Sequence, residues 1–150
     1  LDPPDDAEMR KRFDVITGAG YPYIVAMRAG RVLGYAYASA YRTRPGYRFT
    51  LEDSVYVHPD FAGRGAGRAL LARRIERCEA LGCRQLVAVI GDSANAASIG
   101  LHSALGFREA GVLRSVGFKH GRWVDSVLMQ RSLGMGDTTT PEDLNLSKRS

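Results

Sequence analysis

A strand, a glycine-rich turn and a helix follow one another between Phe49 and Leu81, and this succession constrains the fold more than any other feature of the chain. Phe49 to Val57 reads as a strand. Gly63-Arg64-Gly65-Ala66-Gly67 then opens a helix to about Leu81, and Gly82 is a natural residue to end it. Successive backbone N–H groups at a helix N-terminus form an anion site, and glycines let a phosphate approach the main chain. Arg64 and Arg68 add positive charge. Three alternating glycines and two arginines exceed what a tight turn needs. Two familiar phosphate loops are excluded. A dinucleotide fingerprint, G-x-G-x-x-G, would require glycine where Arg68 stands, and an acidic residue about 20 positions on, where the chain has Leu86-Val87-Ala88. No G-K-[ST] of a nucleoside-triphosphate loop occurs.

Around this unit the periodicity predicts a mixed sheet with helices, of α/β or α+β class. Asp5 to Gly18 reads as a helix with Met9, Phe13 and Ile16 on one face. Tyr21 to Met27 and Val32 to Ser39 read as a hairpin, and Gln85 to Ile90 as a central strand covered on both faces. A second helix spans Asn95 to Leu105. Phe107 to Leu113 and Trp123 to Met129 form two last strands, joined by a turn containing Gly117 and Gly121. At 150 residues one domain is expected, over 1–133, with 134–150 a frayed polar tail. Cys78 and Cys83 have neither zinc spacing nor a disulfide framework, which fits a reduced, cytoplasmic protein without metal. The acidic start, Leu1-Asp2-Pro3-Pro4-Asp5-Asp6, is no secretory signal, and no apolar run is long enough to span a membrane. A net charge of +5 suits an anionic partner but is too diffuse to point to nucleic acid.

The segment Val55-Tyr56-Val57-His58-Pro59-Asp60 followed by Gly63-Arg64-Gly65-Ala66-Gly67-Arg68 resembles the acetyl-CoA motif of the GCN5-related N-acetyltransferases (GNAT). Asn95-Ala96-Ala97-Ser98 and Leu105-Gly106-Phe107 resemble that family's second signature. Val89 to Asp92 and Val112 to Trp123 resemble its phosphinothricin and methionine sulfoximine acetyltransferase branch. The resemblance implies acetyl-CoA as donor. Val55, Tyr56 and Val57 would bond the pantetheine arm, Gly63 to Arg68 would hold the pyrophosphate, and Asn95 and Ser98 would be further cofactor ligands. A bland alternative makes Asn95 a helix cap, a task that Ser93 or Asp92 could also take. The resemblance also implies a homodimer and a mostly antiparallel sheet, lacking here the first strand and helix. Ala62 departs from the family's usual Arg or Gln.

Acetyl transfer from a thioester to an amine needs a base for the amine, a donor for the oxyanion and an acid for the thiolate. Alternation places Thr50, Glu52, Ser54 and Tyr56 on one strand face and Asp53 with the apolar residues on the other. Glu52 is the first candidate base, as the resemblance also assigns, and Asp53 the second, since a bulge would exchange the faces. Asn95, Ser98 and His102 share a helical stripe, opposite Ala97, Leu101 and Ala104. His102 is the second catalytic candidate, as base or acid. In the loop 41–48, Arg42, Arg44 and Tyr47 suit an anionic amino-acid analogue, with Lys119 a further candidate. The reaction expected is direct acetylation, in a ternary complex, of the α-amine of phosphinothricin, methionine sulfoximine or methionine sulfone. A peptide N-terminus, a polyamine, or a non-catalytic acyl-CoA-binding module are the competing readings.

Overall fold

A computed structural model describes residues 6–61, 63, 65–92 and 95–144. Helix α1 (Asp6–Gly18) leads into the hairpin β1 (Tyr23–Arg28) and β2 (Arg31–Ala40). Strand β3 (Thr50–Val57), helix α2 (Ala66–Leu81), strand β4 (Gln85–Ile90) and helix α3 (Ala96–Ala104) follow. The hairpin β5 (Arg108–Lys119) and β6 (Arg122–Ser132) completes the order. Six strands form one sheet, ordered β1-β2-β3-β4-β6-β5. Every neighbouring pair is antiparallel except β3 and β4. The expected mixed, mostly antiparallel sheet flanked by helices is therefore present.

Alternation along the strands gives the sheet two unlike faces. Ala36, Ala38, Leu51, Leu86, Ala88 and Met129 are buried beneath Leu71, Ile75 and Cys78 of α2. The other face carries a stack of Tyr23, Tyr35, Tyr37 and Tyr56. Helix α1 meets it through Phe13, edge-on to Tyr23 at 5.0 Å, and through Met9, whose sulfur accepts from the Tyr35 hydroxyl. Val89, on this second face, is half exposed, so β4 is not covered on both sides as its apolar run predicts. Helix α1 packs on β1 and β2.

One glycine reading changes. Gly117 is not in the turn: it lies within β5, opposite Val124, and the turn is His120-Gly121. A Cβ at Gly117 would meet Val124 Cγ2 at 2.9 Å, so this glycine serves cross-strand approach. The β5–β6 register shifts between Leu113 and Gly117, around Ser115 at φ 52°. Gly34 likewise lets β2 close on β3, because a Cβ there would stand 2.4 Å from the Tyr56 carbonyl oxygen.

Residues 134–144 make contacts with the rest of the chain, and Leu144 packs against the core. The Arg84 guanidinium donates to Gly136 O at 2.7 Å and to Thr139 Oγ1 at 2.9 Å. Arg48 donates to Asp143 at 2.9 Å. Side-chain donors thus satisfy a segment that no strand pairs. Residues 145–150 lie outside the described residues.

Two outcomes follow from this packing. Gly34→Ala is expected to destabilise the fold by about 1–3 kcal/mol through forced backbone displacement, read as a lower urea midpoint. Burial pushes the Cys78 thiol up to about 12 and the Cys83 thiol to about 11. A raised pKa leaves almost no thiolate at pH 8, so neither cysteine should react with a thiol reagent there until the protein is unfolded.

Candidate active site

Strands β3 and β4 pair only from Thr50–Gln85 to Asp53–Ala88. Beyond Asp53 they diverge, and a cleft of about 220 Å³ opens between Ser54-Val55 and Val89-Ile90-Gly91. Asn95, Ser98 and His102 of the α3 region complete its lining with Asp53. A strand that leaves its parallel neighbour exposes unpaired N–H and C=O groups, which an extended ligand arm can take up. Val55 and Val57 are half-buried at this strand end, and Tyr56 points to the opposite face with 42% of its surface exposed.

The glycine turn divides into two functions. Gly63 at φ 76° and Gly65 at φ 83° take the left-handed conformation with open space beside them. Gly65 is the N-cap of α2 and, without a side chain, does not itself cap the first-turn amides. Gly67, by contrast, is a packing residue: its Cβ would meet Leu101 and Val57 side chains at 3.2 Å. It brings the start of α2 against the end of β3 and against α3. Arg68 is exposed on the first turn. Arg64 and Ala62 lie outside the described residues, as does Ser93.

Beneath the cleft lies a buried charge cluster. Asp53 and Arg74 form an ion pair, and Asp53 Oδ2 stands 2.6 Å from His102 Nε2. Arg74, fully buried, also donates through Nη1 to Tyr37 O and Ser54 O, each at 2.8 Å. Burial pulls its guanidinium down to about 10, so it remains a cation at neutral pH. His102 Nδ1 lies 2.8 Å from Ser98 O, and Phe107 packs edge-on to the ring at 4.9 Å. Burial and the Arg74 charge push the imidazolium down, while the Ser98 carbonyl opposes them.

This geometry revises the stripes expected on α3. Ser98, Leu101 and His102 face inward, whereas Ala97 and Ala104 are exposed. Alanine gains little from burial, and the hydrogen-bonded imidazole takes the inner side. Asn95 is the N-cap, its Oδ1 accepting from Ser98 N at 3.2 Å. Asp53 reaches the buried face by plain alternation, with no bulge between Thr50 and Val57. Glu52 is on the other face, partly exposed, beside Ser39 and Val87 in the register. The sequence reading passed over Arg74. Its signal is a charge amid Leu70, Leu71, Ile75 and Cys78, the buried stripe of α2.

The remaining candidates separate. Lys119 stands over the cleft's β4 side, its Nζ 3.6 Å from where a Gly91 Cβ would be. Nearby, Arg122 donates to Asp92 at 2.5 Å and ties the hairpin turn to the loop after β4. Arg42, Arg44 and Tyr47 are exposed in the loop before β3 and do not line the cleft. Arg42 stacks on Tyr41 at 4.6 Å, and Tyr41 meets Tyr47 edge-on. Glu52 lies between this loop and the cleft along β3. Among the described residues, no group of His, Cys, Asp or Glu converges on a metal position, and no helix is long and apolar enough to cross a membrane.

A divergent strand pair, with a glycine-capped helix at its mouth and a carboxylate–imidazole pair in its wall, defines an acyl-transferring α/β domain. Residues 2–107 match the Acetyltransferase (GNAT) family, and the chain belongs to it and is an N-acetyltransferase. It is 63% identical over 140 residues to phosphinothricin N-acetyltransferase of Alcaligenes faecalis, covering 93% of this chain and 71% of that protein. It is 48% identical over 132 residues to the L-methionine sulfoximine/L-methionine sulfone acetyltransferase of Pseudomonas paraeruginosa, covering 87% of this chain and 76% of that one. The fold superposes with a TM-score of 0.90, at 53% identity, on a phosphinothricin acetyltransferase of Sinorhizobium meliloti in complex with AcCoA. That match covers 99% of this chain and 82% of that one.

Replacing Arg74 by Met would strand the Asp53 carboxylate beneath the cleft. The expected loss is about 3–5 kcal/mol, read by urea unfolding, and adding Asp53→Asn should restore part of it.

Proposed function

We propose that this protein acetylates the α-amine of a small amino-acid analogue with acetyl-CoA, by direct transfer in a ternary complex. Phosphinothricin, methionine sulfoximine and methionine sulfone are the acceptors in view. The observation that carries the reading is the β3–β4 divergence at Asp53, flanked by the α2 N-terminus, in a chain 63% identical to a phosphinothricin N-acetyltransferase. Donor and cleft suit each other. The strand end at Val55, Tyr56 and Val57 offers backbone partners to the pantetheine arm. Gly63, Gly65 and Ala66 to Arg68 offer amides to the pyrophosphate, with open space where side chains would otherwise intrude. Arg64 adds charge there, and Asn95 and Ser98 border the thioester end.

The acceptor then comes from the other side of the sheet. Glu52 takes a proton from the ammonium, so that a neutral amine attacks the thioester carbonyl. His102 assists from the cleft wall as the thiolate leaves. Arg42, Arg44 and Tyr47, with Lys119 across the cleft, hold the acceptor's carboxylate and phosphinate or sulfone oxygens. The same reading makes the protein a cytoplasmic homodimer whose acetyltransferase domain spans 1–133.

Release of coenzyme A thiol from acetyl-CoA tests this, with methionine sulfoximine, phosphinothricin, spermidine and a short peptide as separate acceptors. Release with the first two alone is expected, and Glu52→Gln should lower kcat by about 10²–10⁴-fold. Release with the peptide or spermidine alone would overturn the acceptor, and acetyl-CoA binding without release would overturn the activity.

A further inference from the structure

Both nitrogens of the His102 ring face acceptors. Nδ1 is 2.8 Å from the Ser98 carbonyl oxygen, and Nε2 is 2.6 Å from Asp53 Oδ2. A neutral imidazole carries one N–H. One of these contacts would then set lone pair against lone pair, unless the Asp53–His102 pair holds a second proton. Arg74 sits against the other Asp53 oxygen, and a permanent cation there favours the ionised carboxylate. The second proton therefore belongs on the ring.

We propose that His102 works as an imidazolium fixed in the cleft wall, and that Asp53 is the positioning residue that keeps it protonated and aimed. This rests on reading the cleft as the site of acetyl transfer. In that role His102 takes no proton from the amine, because neither nitrogen has a lone pair to offer. Asp53, Arg74 and His102 together carry a single positive charge beside the thioester position, where negative charge develops on the oxyanion and the departing sulfur. The base is then Glu52, on the opposite sheet face. The charges are segregated by the strand itself: adjacent residues 52 and 53 point to opposite sides.

The groups around the ring support a dependence on Asp53. From α2 comes Arg74, and behind it Cys78, which stays a neutral thiol. From α3 comes the Ser98 carbonyl, from the following loop Phe107, and from β4 the apolar Ala88, Val89 and Ile90 line the cleft. Burial and Arg74 both disfavour the imidazolium, and the Asp53 carboxylate, 2.6 Å from Nε2, is the charged contact that favours it.

The chain has three histidines, His58, His102 and His120, so ¹⁵N-histidine labelling resolves each ring. At pH 7 one ring should show two protonated nitrogens, and its signals should vanish in His102→Gln. Three rings at pH 7 without a doubly protonated His102 would overturn the proposal, whatever the enzyme's activity. A second arm compares pH profiles of kcat. An essential imidazolium makes kcat fall as pH rises through its pKa, whereas an essential base makes it rise. Asp53→Asn, and Asp53→Ser should the amide variant not fold, are expected to move the falling limb down by about one unit or more, with KM for acetyl-CoA within about two-fold. An unmoved falling limb would overturn the positioning role. A wild-type protein that releases no thiol with any acceptor would instead overturn the acetyl-transfer reading, while the ring spectrum still decides the protonation.

Discussion

Arg74 brings a guanidinium with no exposed surface into the space between α2 and the sheet, and the geometry of the cleft depends on how that charge is met. An unpaired buried cation would be costly enough to unfold a domain of this size. Here it meets Asp53 from β3 and two strand carbonyls, Tyr37 O from β2 and Ser54 O from β3. Asp53 in turn reaches His102 of α3. Helix α2, the sheet and α3 are thus fastened at one point, at the residue pair where β3 and β4 cease to bond. The apolar core around Leu71 and Leu86 supplies most of the burial. The ion cluster adds direction, because charged hydrogen bonds tolerate less displacement than methyl contacts.

The divergence of β3 and β4 and the close approach of α2 are two aspects of one arrangement. The parallel pair is short, and α2 must enter over its open end. Gly67 lets it do so by yielding the space of a side chain to Leu101 and Val57. At the far end of α3, Arg131 of β6 donates to Leu105 O at 2.8 Å and secures the helix that carries His102. On the opposite side, Arg122 and Asp92 hold the hairpin turn near the cleft. The cleft is lined from β3, β4, α3 and the segment between the last two, none of which forms it alone.

Much of this was legible in the chain. The period of two in Thr50–Val57 separates Glu52 from Asp53, and the glycines with Gly82 bound α2 correctly. Sequence reading could not say which glycine served a ligand and which served packing, because that depends on what approaches across space. Gly117 looked like a turn residue for the same reason. The inner side of α3 was misjudged because its alanines look apolar, yet a hydrogen-bonded imidazole has more to gain from that position. Arg74 is visible as a charge in an apolar stripe, but its partner lies on a strand whose register only the tertiary fold determines. The ordering of 134–144 rests on Arg84 and Arg48, whose contacts there are distant in sequence.

The break in β5 has a consequence for the protein's behaviour in a crowded solution. β5 is the outermost strand, twelve residues long, with Leu113, Val116 and Phe118 exposed. An uninterrupted edge of that length would be a template on which another chain could add a strand. Ser115, turned left-handed and with its amide held by Asp125 Oδ1 at 2.9 Å, interrupts the row of outward N–H and C=O groups midway. With a second register shift between Glu109 and Gly111, the edge presents short runs in place of one long one, and none offers a growing β-ribbon a continuous seam.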